Sequence, residues 1–412
     1  MPKYLIIGNG IAGVSAAEAI RAQDSQGSLA LVAAEDFPPY SRPLISLVLE
    51  GSLGPERLPI RPDTFYRDLD IQAHLGHKVT TLDLDRRRVL TDQGLELEYQ
   101  RLLIASGADP RPLSVPGREL ANIFYMRTQA QVQAMLQALP GARRALVLGG
   151  GLVGFKAAYG LMRRGLAVTM LIRSPHPLTM QVDAAAGAMI RQELEARGLE
   201  VRVGVEVESF QGDKGRVTSA RLSDGDRLEC QLVVVGKGVN PALDFLPPQG
   251  IQVDQGILVD EHLQTSREGV YAAGDVAQAW DLVRGRPWVN AIWPVAVEQG
   301  RLAGANLAGR PVAYRGSLGR NVLRIFGLDV LTGGMVNPPA GDDSYQVLTR
   351  RDRRRNTYRR LVLKGDTLVG MVMVNRIEQG GVLLALIQRG LPLARDPRRL
   401  LEPDFNLATL AP

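Results

Sequence analysis

Twice in this chain a short apolar run meets a glycine string and then a run of small residues, and few folds can use that device twice. The first instance is Tyr4-Leu5-Ile6-Ile7, then Gly8-Asn9-Gly10-Ile11-Ala12-Gly13, then small residues through Ile20. The second is Ala145-Leu146-Val147-Leu148, then Gly149-Gly150-Gly151-Leu152-Val153-Gly154, then a segment to Arg164. Each predicts a strand, a tight turn and a helix. The first glycine makes the turn, the second lets a pyrophosphate approach the backbone, and the third lets the helix lie close on its strand. The helix N-terminus then presents unpaired N–H groups and the positive end of its dipole to an anion. A further strand is predicted after each helix, at Leu29 to Val32 and at Ala167 to Ile172. Gly149 follows Gly8 by 141 positions, so the chain contains a diverged internal duplication of a dinucleotide-binding unit.

The two copies differ where the adenosine ribose should lie. Glu35 comes 22 residues after Gly13 at the end of its strand, where an acid accepts both ribose hydroxyls. Gly8, Gly10, Ile11, Ala12, Gly13 and Glu35 are therefore candidates for an FAD site. In the second copy Ile172 and Arg173 stand at the matching strand end. Arg173 could pair with a 2′-phosphate and favours NADP, whereas Gly154, where alanine would be the alternative, favours NAD. Thr179 stands where a second phosphate-binding arginine would be expected. The balance predicts NAD, with NADP as the alternative, at Gly149, Gly151, Leu152, Val153, Gly154 and Arg173.

Punctuation divides the chain. Pro110, Pro112, Pro116 and Gly117 mark an exit from the first unit, and Asn240-Pro241 marks a return to it. Alternating strands are predicted at Tyr345 to Leu348, Arg360 to Leu363 and Val369 to Val374, with a helix from Gly381 to Gln388 and a proline-punctuated tail. The expected class is α/β: two Rossmann-like domains plus a C-terminal α+β interface domain. The boundaries are 1–112 with 240–312 for FAD, 113–239 for NAD(P), and 313–412 for the last.

Composition narrows the function. No apolar run approaches the roughly 20 residues of a membrane span, and the N-terminus leads straight into a strand, so a cytoplasmic protein without membrane attachment is expected. The single cysteine, Cys230, excludes an internal disulfide and a protein-ligated iron–sulfur cluster, which need several thiols. It lies in Arg227 to Val233, which alternates like a strand, and reads as a buried structural thiol. The net charge of +6 is spread among acids and does not point to nucleic acid. One basic run stands out: Arg350, Arg351, Arg353, Arg354, Arg355, Arg359 and Arg360. It is either a solvated hairpin tip or a docking face for an acidic partner.

Four further strings resemble those of the pyridine nucleotide–disulfide oxidoreductase superfamily of FAD enzymes, whose fold is glutathione-reductase-like. They are Pro39-Tyr40-Ser41-Arg42-Pro43-Leu44-Ile45-Ser46, Leu103-Ile104-Ala105-Ser106-Gly107-Ala108, Val270-Tyr271-Ala272-Ala273-Gly274-Asp275, and Trp293 through Gly300 opening a helix to Gly309. The resemblance implies FAD contacts from Arg42, Pro43, Ala105, Ser106, Gly107, Gly274, Asp275 and Trp293, with Asp275 on the ribityl chain. It adds Arg111 and Gly236 as cofactor-binding candidates. Within the superfamily the chain resembles NADH:rubredoxin and ferredoxin reductases, and flavoprotein subunits such as the NAD-reducing subunit of phenylglyoxylate dehydrogenase. Disulfide reductases carry paired cysteines on the flavin face, which this chain lacks, so a thiol relay is excluded. Relatives often place Lys after the loop serine and Glu two residues past the third glycine; here Leu47 and Lys156 occupy those positions. Lys156 is then either a cation at the reaction centre or a solvated helix lysine.

Three functions are compatible with these residues. The chain is an NAD(P)H-linked reductase of a separate rubredoxin- or ferredoxin-type iron–sulfur carrier, the flavin subunit of a larger oxidoreductase with cluster-bearing subunits, or an interaction flavoprotein like apoptosis-inducing factor. A homodimer fits the first and a hetero-oligomer the second.

Overall fold

Tyr4–Ile7 is buried at all four positions, which requires cover on both faces of its sheet. Alternate residues feed different clusters. Tyr4 and Ile6 pack with Ala16, Ile20 and Ala303, while Leu5 and Ile7 pack with Leu82, Val89 and Phe245. The sheet is parallel and five-stranded, in the order Val270–Ala272, Arg101–Ile104, Tyr4–Ile7, Leu29–Ala33, Ile71–Leu75. It belongs to the first of two units in the computed structural model, which describes residues 1–393, 396–402 and 405. That unit comprises Met1–Pro43, Glu56–Asp109 and Val239–Leu318; Leu44–Pro55, Pro110–Gly238 and Gly319–Pro412 form the second.

The second unit repeats the plan. Its five parallel strands run Glu200–Val203, Ala167–Ile172, Arg144–Leu148, Leu232–Val235, Ile123–Tyr125. A three-stranded antiparallel sheet follows, Val207–Asp213, Arg216–Leu222 and Arg227–Glu229. The run predicted as one strand around Cys230 is thereby split. Arg227–Glu229 pairs in this small sheet, Leu232–Val235 in the large one, and Cys230 lies buried between them. Leu44–Pro55 groups with this unit because its helix Ile45–Glu50 meets the helix Leu152–Arg163. Arg164 Nε donates to the Leu49 carbonyl at 2.7 Å, and Gly160 leaves room for the Leu49 side chain.

By its contacts the C-terminal segment also groups with the second unit. It forms a five-stranded antiparallel sheet in the order Arg320–Ile325, Leu328–Gly334, Thr367–Val374, Thr357–Lys364, Tyr345–Asp352, then a helix Gly380–Arg389. The first two strands were not predicted, and the other three are longer than predicted. The basic run is a hairpin, but not a uniform basic face. Arg353, Arg354 and Arg355 are exposed at its tip. Arg359 is 7% exposed and donates to the Leu400 and Glu402 carbonyls, and Arg360 lies 3.5 Å from Asp183. Tyr358 donates to the same Asp183 at 2.7 Å, so this end of the hairpin is fastened down. Of the predicted proline-punctuated tail, residues 394–395, 403–404 and 406–412 lie outside the described residues. Among the described residues no helix is long and apolar enough to cross a membrane.

Candidate functional site: two dinucleotide cradles

In the first unit the chain leaves Tyr4–Ile7 at Gly8, whose φ is +113° and whose N–H donates to the Val32 carbonyl at 2.8 Å. A methyl there would lie 2.2 Å from the Ala105 carbonyl oxygen, and one on Gly13 would lie 2.0 Å from the Gly8 oxygen. No other residue fits either place. Gly10 is different: nothing lies within 4 Å of an added methyl. That open side is where a pyrophosphate needs room, and the helix Ile11–Gln23 begins there with no acid in its first turn. Ile11 and Ala12 are its first residues.

Glu35 stands two residues past Leu29–Ala33. Its carboxylate accepts from the Tyr40 hydroxyl at 2.6 Å and from the Arg42 guanidinium, which also reaches the Tyr40 hydroxyl at 3.1 Å. Pro43 follows, exposed. The two sequence strings, far apart in type, are thus brought to one place. Ala105, Ser106 and Gly107 leave Arg101–Ile104 beside Gly8. Ser106 Oγ donates to the Ala242 carbonyl at 3.0 Å, and Gly107 returns the bond by accepting from Ala242 N–H at 3.0 Å.

Gly274, with φ +81°, and the partly exposed Asp275 follow Val270–Ala272. Trp293 opens the helix Trp293–Leu307, and Pro294 beside it suits a first turn where its missing N–H costs nothing. This helix crosses Ile11–Gln23 at glycines. Methyls on Gly300 and Gly304 would lie 2.2 and 2.4 Å from the carbonyl oxygens of Ala12 and Ala16. The sequence did not reveal Gln299. It is 2% exposed, accepts from Gly274 N–H at 2.9 Å, and donates to the Tyr314 hydroxyl at 3.3 Å. Its place within the Trp293 to Gly300 string, one residue before Gly300, is the available signal.

The second unit reproduces the cradle. Gly149 has φ +109°, a methyl on it would lie 2.4 Å from the Gly236 oxygen, and one on Gly154 would lie 2.0 Å from the Gly149 oxygen. Gly151 is open, as Gly10 is. Leu152 and Val153 begin the helix, Val153 exposed. Gly236 donates to the Leu148 carbonyl at 2.7 Å and lets Gly154 approach. Arg173 is exposed and paired with Glu206. Lys156 is half-buried on the helix, and burial lowers its pKa. Arg111 is exposed and its backbone N–H donates to the Gly238 carbonyl at 3.0 Å.

Packed first and third glycines with an open second one, in both units, fit a dinucleotide in each. Two such cradles in one chain, one ending in an acid and one not, define a protein with two dinucleotide sites. The comparisons agree. Residues 2–300 match the family described as pyridine nucleotide-disulphide oxidoreductase, and residues 320–391 match the rubredoxin NAD+ reductase C-terminal domain. The chain belongs to the pyridine nucleotide-disulphide oxidoreductase family, and is an FAD-dependent NAD(P)H oxidoreductase. It is 33% identical over 94% of its length to the NADH-dependent phenylglyoxylate dehydrogenase subunit epsilon of Aromatoleum evansii, covering 91% of that protein. It is 29% identical over 94% of its length to nitrite reductase [NAD(P)H] of Bacillus subtilis, but spans only 47% of that relative. A crystal structure of the covalent putidaredoxin reductase–putidaredoxin complex superposes with a TM-score of 0.88 at 28% identity, covering 97% of this chain and 96% of that one.

Proposed function

We propose that the chain accepts a hydride from NADH and passes the electrons to a separate iron–sulfur protein of rubredoxin or ferredoxin type. The observation that carries this reading is the state of Cys230. It is the one cysteine in the sequence, it is 0% exposed, and burial pushes its thiol up to about 12. The thiolate is the reactive form, so this group is no electron relay, and electrons must leave for an acceptor outside the chain. The similarity to putidaredoxin reductase and the match over residues 320–391 support the choice of acceptor.

FAD, when bound, supplies the chemistry: it takes two electrons with a hydride and releases them to the acceptor. The chain binds and orients. Gly8, Gly10, Ile11, Ala12 and Gly13 cradle the FAD pyrophosphate and Glu35 meets its ribose. Arg42, Pro43, Ala105, Ser106, Gly107, Gly274, Asp275 and Trp293 contact the remainder. The dipole of the helix opening at Trp293 favours the added negative charge. Gly149, Gly151, Leu152, Val153, Gly154, Gly236 and Arg173 hold the nicotinamide dinucleotide, Lys156 supplies a positive charge at the reaction centre, and Arg111 is a supporting contact. The cytoplasm is the compartment that suits a reduced carrier of this kind.

The test uses purified flavin-loaded protein, NADH, and a rubredoxin or ferredoxin beside a small neutral dye. NADH-dependent reduction of both is expected; reduction of the dye alone overturns the choice of acceptor. A second reading, a flavin subunit of a larger oxidoreductase, is favoured by the near full-length similarity to subunit epsilon. Native mass on protein from its source separates the two. A monomer or homodimer supports the first, and foreign subunits in fixed stoichiometry support the second.

A further inference from the structure

In a nicotinamide-binding unit of this build, the residue ending the strand after the glycine helix meets the adenosine ribose. An acid there takes the 2′-hydroxyl, and a nearby arginine accommodates a 2′-phosphate. Here the strand ends in Ile172, 1% exposed, whose side chain covers Gly150: a methyl on that glycine would lie 2.7 Å from Ile172 Cδ1. Ile172 therefore offers the ribose nothing. Arg173 follows, 83% exposed in its side chain. Taken alone, this is the pattern of an NADP site.

The neighbouring strand changes the sign of the place. Glu200–Val203 runs parallel to Ala167–Ile172 and ends at Gly204, whose N–H donates to the Ile172 carbonyl at 2.7 Å and whose φ of +72° turns the chain. Two residues on, Glu206 is fixed through its backbone. Its N–H donates to Ser223 Oγ at 3.0 Å, and its carbonyl accepts from Ser223 N–H at 2.9 Å. Its carboxylate lies 3.7 Å from Arg173 Nε and 2.9 Å from Lys237 Nζ. Lys237 follows Gly236, which packs against Gly149 and Gly154 of the glycine turn. A carboxylate thus holds the middle of a three-charge row along the carboxyl edge of the sheet, the edge at which such folds bind their ligands.

We infer that Glu206 sets the nicotinamide preference: it supplies the acid missing from the strand end, engages Arg173, and makes the site selective for NAD. The inference rests on the reading of the second unit as the nicotinamide site. Two effects act in one direction. Ribose hydroxyls can donate to a carboxylate, whereas a 2′-phosphate cannot and brings its own negative charge against it. Arg173, the group that would welcome that phosphate, is already partnered. An exposed ion pair contributes little to stability, so the row is not explained as a fastening. Selectivity is a difference between two ligands, and a like-charge clash with one of them counts in full.

The test is equilibrium binding, without turnover. Flavin-loaded protein is titrated calorimetrically with ADP-ribose and with its 2′-phosphate, and kcat/KM is measured beside it for NADH and NADPH. The wild type should favour ADP-ribose. Glu206→Gln keeps the shape and should shift the ratio toward the 2′-phosphate by about tenfold, as removal of one nearby like charge predicts for a partly solvated site. Adding Arg173→Ala to that variant should cancel the shift, because the released arginine is what receives the phosphate. Glu206→Ser should move the ratio in the same direction, so the outcome does not hang on how one variant folds. A wild-type preference for the 2′-phosphate, or an unchanged ratio in both variants at position 206, overturns the inference. Binding of neither ligand overturns the assignment of the unit itself, and the inference with it.

Discussion

Asp24, just past the helix Ile11–Gln23, gathers four donors onto one carboxylate. They are Lys3 Nζ at 2.6 Å, the Tyr4 hydroxyl at 2.8 Å, and the N–H groups of Gln26 at 3.1 Å and Gly27 at 2.8 Å. The Lys3 bond foremost, then Tyr4, holds this carboxyl well below its ordinary value of 3.8. A carboxyl depressed by folding stabilises the protein above its ordinary pKa, and that contribution is lost as the pH falls toward the folded value. Asp24→Asn is therefore expected to lower the Tm at neutral pH, and the gap to wild type should narrow as the pH drops below about 4. Thermal melts across that range decide it, and a gap that widens in acid contradicts the account. Cys230 behaves in the opposite sense. With its thiol raised by burial, it should resist iodoacetamide in the folded protein and react only after denaturation, as read by the mass shift.

At the scale of elements, the crossing of Ile11–Gln23 and Trp293–Leu307 joins the glycine turn to the helix that opens at Trp293. Gly300→Ala must push a methyl against the Ala12 oxygen. The expected cost is about 1–3 kcal/mol, as for other overpacked contacts, with loss of bound flavin on purification. An unchanged Tm and full flavin content would show the crossing to be slack. These glycines also show what the sequence could reveal. Gly8, Gly13, Gly149 and Gly154 announce themselves because each belongs to a short motif: Gly8 and Gly149 at its positive-φ turn, Gly13 and Gly154 against the oxygens of those two residues. Gln299 and Glu206 do not, since each acts on a group brought near by the fold: Gly274 in one case, Arg173 in the other. Arg320–Ile325 and Leu328–Gly334 were missed because Arg324 and Asp329, which pair across the hairpin, break up the apolar pattern of the segment. Arg359 read as surface charge because its partners, the carbonyls of Leu400 and Glu402, lie about forty positions away in sequence.

At the scale of the whole molecule, the question is how an acceptor finds this protein. Arg353, Arg354 and Arg355 are the exposed part of the basic run. Replacing all three by Ser should slow reduction of an acidic carrier while leaving reduction of a neutral dye intact. The wild-type rate with the carrier should itself fall as salt rises, since exposed charges lose influence beyond about 8 Å at physiological ionic strength. Stopped-flow measurement of both reactions tests it. Carrier reduction unchanged in the triple variant would leave the tip as ordinary solvated surface.

The parallel sheet of the first unit joins strands far apart in the chain, and this governs when that sheet can close. Its strand Val270–Ala272 pairs with Arg101–Ile104, yet Val270 is made 166 residues after Ile104. At about 5–20 residues per second, that is a wait of roughly 8–33 s on the ribosome. The five parallel strands of the second unit, from Ile123 to Val235, all emerge within that interval. The parallel sheet of the second unit is thus complete in the nascent chain before that of the first. On the proposed assignment of Asp275 and Trp293 to the flavin site, flavin capture is a late event that awaits their emergence.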